Sequence, residues 1–248
     1  MNKTNFFIIA LLLLISSYAH SKPVRVVTLN WGGFIGSQLP NQGPHGVIIK
    51  EAFQRVNKEV EFKFYPWARA YQIALSGQAF LVSASDTKER RKLFNYSDSY
   101  ASSPSYLISL KKSKFNYQGV PSTLNQQRIG VLRGHFLAKL LQKFDLEKNI
   151  ELANSDVANL QKFFSGRVDL VAMSKDSAIS IIKNNPNIQG TLEQVEFLEP
   201  PLRTNPVHLI GLKNMTESKE VIKAFNMGLN ELKEEGRYYE ILQSYGFK

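Results

Sequence analysis

The order in which the apolar pattern switches period constrains this chain more than any other feature. Residues 24–29 read as a buried strand. Residues 46–56 read as a helix with Val47, Ile48, Ala52, Phe53 and Val56 on its apolar side. Residues 60–65 alternate as a strand does, 66–76 form the next helix with Pro66 suited to its first turn, and 80–83 make a further short strand. Strands and helices that take turns in this way predict an α/β fold, with helices packed on a largely parallel sheet.

The alternation then starts again. Residues 128–132 are strand, 136–144 helix, 150–153 strand, 155–165 helix capped by Ser155 or Asn154, and 169–173 strand. Two extended stretches bracket this second block: 102–112, which holds Pro104, and 197–212, which holds Pro200, Pro201 and Pro206. A complete α/β unit between two extended connectors is inserted into the first unit. The expected molecule has two Rossmann-like lobes joined by a two-strand hinge. Residues 22–105 with 206–248 build one lobe, helices 219–233 and 237–244 included, and residues 106–205 build the other. A cleft lies between lobes arranged in this way.

The N-terminus reads as an export signal. Lys3 precedes an apolar run over 6–15, and Ala19-His20-Ser21 supplies small residues at the positions a signal peptidase requires, so the cut is expected after Ser21. The run is short of the roughly 20 residues a membrane-spanning helix needs. The sequence holds no cysteine, which excludes a lipid-modified cysteine anchor and any disulfide. An untethered exported protein of this kind belongs in a periplasm. The formal charge of +10, Lys3 included, favours anionic partners. The basic residues are scattered and no nucleic-acid motif accompanies them, so they read as a solvated surface.

Five segments taken together resemble the bacterial extracellular solute-binding proteins of family 3, the type II periplasmic binding proteins that include polar-amino-acid binders. They are Gly46 at the first helix, Tyr65-Pro66-Trp67-Ala68-Arg69-Ala70, Thr87-Lys88-Glu89-Arg90 followed by Phe94-Asn95-Tyr96-Ser97, Ile129 to Gly134, and Ser165-Gly166-Arg167-Val168-Asp169. The resemblance implies a protein that closes two lobes around a small ligand, without cofactor or metal, as a monomer that serves an inner-membrane permease or a sensor receptor. It also implies that Arg90 enters the cleft, where its planar fork can hold a carboxylate, with Ser85 and Thr87 as hydroxyl donors nearby. The other reading of Arg90 is a member of a solvated charge run with Arg91 and Lys92.

Trp67 falls on an apolar helical face with Ala70, Tyr71 and Ala74, so it is either core or cleft wall. Arg69 opposes the helix dipole at the first turn, which points to the ligand, the opposite lobe or a structural ion pair. Trp31, in Asn30-Trp31-Gly32-Gly33 after the first strand, is an expected pocket wall.

Departures from the family pattern narrow the ligand. After Gly134, where polar-amino-acid binders carry Thr or Ser, stand His135 and Phe136. Five residues past Asp169, where they carry the aspartate that holds an ammonium, stands Ser174, unless Asp176 substitutes. Free α-amino acids held in the usual way are therefore expected to bind weakly. Dehydratases on this fold are the enzymatic alternative. The chain offers no paired carboxylates at motif positions, no Gly-x-Ser-x-Gly and no cysteine, which leaves His135 as the single candidate base. His45, His135 and His208 lack metal-ligand spacing.

The exported chain is expected to begin at Lys22 and to leave the cell on osmotic shock. An intact mass that retains residues 1–21, or fractionation with membranes, would overturn that expectation.

Overall fold

A computed structural model describes residues 22–246, so the expected signal segment lies outside the described residues. Strands β1 (Val24–Thr28), β2 (Val60–Phe64) and β3 (Phe80–Ser85) pair in parallel with β1 in the middle. Helix α1 (Gly43–Arg55) follows β1, and α2 (Trp67–Leu75) follows β2. After β3 come a six-residue helix α3 (Lys88–Leu93) and a short strand β4 (Phe94–Tyr96). The chain then crosses on β5 (Ala101–Leu110).

The second unit repeats the plan. Strands β6 (Ile129–Leu132), β7 (Ile150–Ala153) and β8 (Leu170–Ser174) are parallel with β6 central, and helices α4 (Phe136–Gln142) and α5 (Asp156–Phe164) link them. Helix α6 (Lys175–Asn184) leads towards the return strand β9 (Val195–Leu212), and α7 (Ser218–Glu234) and α8 (Arg237–Ser244) close the chain on the first unit.

β5 and β9 run antiparallel along nearly their whole length and fuse both units into one sheet of order β2-β1-β3-β9-β5-β8-β6-β7, with β4 also on β9. The register jumps from Ser105 opposite Arg203 to Leu107 opposite Leu198, and the extra β9 residues contain the cis Glu199–Pro200 bond. The apolar residues sort into groups on either side of this pair. Ile48, Phe53, Phe80 and Phe225 pack in the first unit, and Leu107, Leu137, Leu141 and Leu170 in the second. Among the described residues no helix is long and apolar enough to cross a membrane.

Three elements differ from expectation. The first helix begins at Gly43, three residues before Gly46, because Pro44 suits a first turn and Gly43 can take φ +82° against the Phe34 carbonyl. Helix α6 was not anticipated, although Ala178, Ile181 and Ile182 bury at helical spacing. Helix α3 hides in a charge run, where only Arg90 is buried.

α1 and α7 touch where Gly228 lets the backbones meet: a Cβ there would collide with the Ala52 carbonyl, its carbon 2.7 Å away. On an exposed helix, Gly→Ala adds about 1 kcal/mol of stability. Gly228→Ala is expected to reverse that sign and to remove about 1–3 kcal/mol, as overpacking does. Urea titration reads the sign directly, and a stabilised variant would refute this packing.

Candidate functional site

Strand pleating turns every second residue to the same face. Ser83 and Ser85 on β3, Ser103 and Ser105 on β5, Ala172 and Ser174 on β8, and Asn205 and Val207 on β9 thus line one cavity where the two units meet. Ser83 sits at φ +63° beside a register break in β3, with its N–H donated to the Tyr100 hydroxyl at 2.8 Å. An irregularity of this kind re-aims side chains and is found beside sites. Trp31, Trp67, His135, Phe136 and Asp156 add to the walls, with Leu29, Leu132 and Met173 as apolar filling.

The cleft is shut. The Trp67 indole N–H donates across it to the Gly134 carbonyl at 3.0 Å. Gly32, at φ +48°, lies so close to the start of α6 that a Cβ would stand 2.6 Å from the Ser177 hydroxyl. Ser103 and Ser174 hydroxyls bond to each other at 2.5 Å. The water-accessible volume enclosed is about 30 Å³, on the order of one or two waters. Any organic solute must enter by opening the cleft.

Of the residues singled out in the sequence, Trp31, Trp67, Ser85, His135, Phe136 and Ser174 meet in this lining, and Arg69, Thr87, Arg90 and Gly134 do not. Trp67 is both core and wall, being 2% exposed. Ser174 caps α6. Arg69 is exposed, with its guanidinium over the Tyr65 ring at 4.8 Å, so it reaches neither cavity nor ion pair among the described residues. The Thr87 side chain accepts the Arg90 N–H at 3.2 Å and starts α3. Gly134 contributes its carbonyl rather than its N–H. Asp176 is absent from the lining as well.

Arg90 is the main displacement. α3 turns it inward, 6% exposed, where its guanidinium lies 5.2 Å from both the Trp67 and Tyr71 ring centroids and donates to the Ser85 carbonyl at 3.1 Å. It is therefore neither a solvated charge nor a direct wall, but stands behind Trp67 and Ser85. No carboxylate forms an ion pair with it among the described residues, and burial lowers its pKa. Its field still reaches the wall: burial, and then the Arg90 charge, push the His135 pKa down to about 3. A ring so reluctant to take a proton is a poor general base at neutral pH.

Two lining residues were not read from the sequence. Asn205, 2% exposed, has no partner for either side-chain atom. Asp156, 7% exposed, accepts one long hydrogen bond from the Ser177 hydroxyl at 3.4 Å, and burial pushes its pKa up to about 6. Among the described residues no group of three or more His, Asp or Glu is placed to hold a metal.

The family model described as bacterial extracellular solute-binding proteins, family 3, matches residues 33–248. The chain belongs to that family. Solved structures share its type II periplasmic-binding-protein fold. A histidine kinase sensor domain similar to periplasmic binding proteins superposes with TM-score 0.80 at 15% identity, over 92% of this chain and 97% of that one. The arginine-, lysine-, histidine-binding protein ArtJ of Geobacillus stearothermophilus gives 0.77 at 19%, over 91% and 95%. The GluR0 ligand-binding core with L-glutamate gives 0.74 at 15%, over 91% and 98%. No curated protein sequence matches significantly.

In this solute-binding protein the Trp31 wall rests on His45, whose ring stacks on Phe34 at 4.9 Å and meets Trp31 at 5.8 Å. Burial pushes the His45 pKa down to about 3. Unfolding frees it to take a proton below its ordinary value of 6.5. Its contribution is thus intact above that pH and is lost as pH falls towards 3, at up to about 1.4 kcal/mol per pH unit. Stability measured by urea at several pH values should fall less steeply over that window in His45→Gln than in the native protein. Equal slopes would show that His45 is not buried neutral.

Proposed function

We propose that this protein captures a small polar solute bearing a carboxylate, by closing lobes 22–105 with 206–248 and 106–205 around it. It works as a monomer in the periplasm, performs no catalysis, and delivers the solute to an inner-membrane permease. The observation that carries this reading is a cavity walled from both units and sealed by the Trp67–Gly134 bond. β5 and β9 cross its floor, so bending them opens it.

The acid preference rests on Arg90. A buried cation with no carboxylate partner is a standing demand for negative charge. Arg90 abuts the Ser85 and Trp67 section of the wall, so a ligand carboxylate held by the serine hydroxyls there would lie in its field. The scattered basic surface favours the approach of anions. The same closure also suits a sensor read by a membrane receptor, a reading favoured by the likeness to a histidine kinase sensor domain.

A thermal-shift screen of amino acids, organic acids, short peptides and polyamines identifies the ligand class, since a ligand at 100 times its Kd adds about 2.7 kcal/mol. For the tightest acid found, Arg90→Ala is expected to weaken binding at least about tenfold by calorimetry. A folded Arg90→Ala protein of unchanged affinity, or a preference for the matched amide over the acid, would refute the acid-binding role.

A further inference from the structure

The cavity lining contains one carboxylate, that of Asp156, and no lysine or arginine among the described residues. The other titratable group in the lining is His135, and it is held neutral. Asp156 stands on the first turn of α5, behind the N-cap Ser155. Its one bond comes from Ser177, on the first turn of α6. The N-terminal ends of two helices thus converge on this carboxylate, and both favour its negative form.

A pKa near 6 leaves Asp156 largely ionised at neutral pH. An ionised carboxylate can accept several hydrogen bonds, and this one has a single long one. Leaving such a group buried without a donor is expensive. Protein side chains do not meet that demand here. The Asn205 amide, in the same lining with both polar atoms unpartnered, adds a further acceptor and two donors. A second negative group could not sit against Asp156 without repulsion, so a ligand carboxylate is excluded from this part of the wall.

We infer that Asp156 and Asn205 form a subsite that takes a cationic, donor-rich group of the ligand, an ammonium or other amine. This subsite rests on the solute-binding reading above and deepens it: the ligand carries an acid towards Ser85 and an amine towards α5. The amine lies off the position that Ser174 occupies. Ser174 is engaged in capping α6 and in its bond to Ser103. The shift moves the acidic partner from the start of one lobe helix to the start of another. It selects molecules whose amine can reach α5.

The test sets the standard L-amino acids and two diamines beside the corresponding carboxylic acids that lack the amine, by calorimetry at neutral pH. At least one amine-bearing acid is expected to bind better than its deaminated partner. Asp156→Asn, which keeps shape and removes charge, is expected to weaken that ligand at least about tenfold and to leave the deaminated partner within about twofold. Asn205→Ala is the second variant, and it should also weaken the amine-bearing ligand; a melting curve shows that each variant is folded.

Unchanged affinity of the amine-bearing ligand in folded Asp156→Asn overturns the inference. So does a panel in which no amine-bearing compound binds. If simple acids bind and depend on Arg90 while Asp156→Asn has no effect, the subsite fails and the solute-binding function stands. If no compound in the panel binds, both fail.

Discussion

The rest of the structure depends on the antiparallel pairing of β5 and β9. These two strands are the join between the units, and their facing residues also supply Ser103, Ser105, Asn205 and Val207 to the cavity. Hinge and floor are therefore one object. A solute that bonds to Asn205 or the serines bears on the strands whose bending opens the cleft, with no relay between. Each unit has apolar clusters on both faces of its sheet, and one of them reaches across the closed cleft through Leu132, which packs in the cluster of Trp67.

Two buried ionisable groups of opposite sign flank the cavity, one behind its wall and one in it. Arg90 lies behind Trp67 in the first unit, and Asp156 lies at the start of α5 in the second. They form no ion pair with each other. Joined in one pair they would cancel and leave a neutral pocket. Kept apart, they leave the two sides of the cleft electrically unlike, as the proposed acid and amine positions require. Stability alone favours apolar residues at such positions, so folding by itself gives no account of these two charges.

Much of the fold was legible in the sequence because strand β8 is a continuous buried apolar run and helices α2 and α5 bury residues at helical spacing. The short helix α3 was not, because six residues with one buried member give no period. Trp31, Trp67 and His135 were legible as cleft residues because motif and loop position agree. Asp156 was hidden by its own plausibility: an acid one residue past a serine cap is what any helix start favours, and its burial is set by α6, an element distant in sequence. Asn205 precedes Pro206 and looks like a turn residue, yet it sits in a paired strand. Arg90 was expected inside the cleft and instead lies behind its wall, at a depth set by stacking on Trp67 and Tyr71, which no spacing rule reveals.

The latch between the units has one further property. Its donor is an indole, and its acceptor is main chain, which side-chain substitutions in the second unit leave in place. The chain has two tryptophans, Trp31 and Trp67, and both stand in the cavity wall. Opening the cleft would break the Trp67 bond and bring water to both rings, so the tryptophan part of the emission reports on the cleft alone. Excited at wavelengths that tyrosine does not absorb, this molecule thus carries its own optical gauge of closure, without a label.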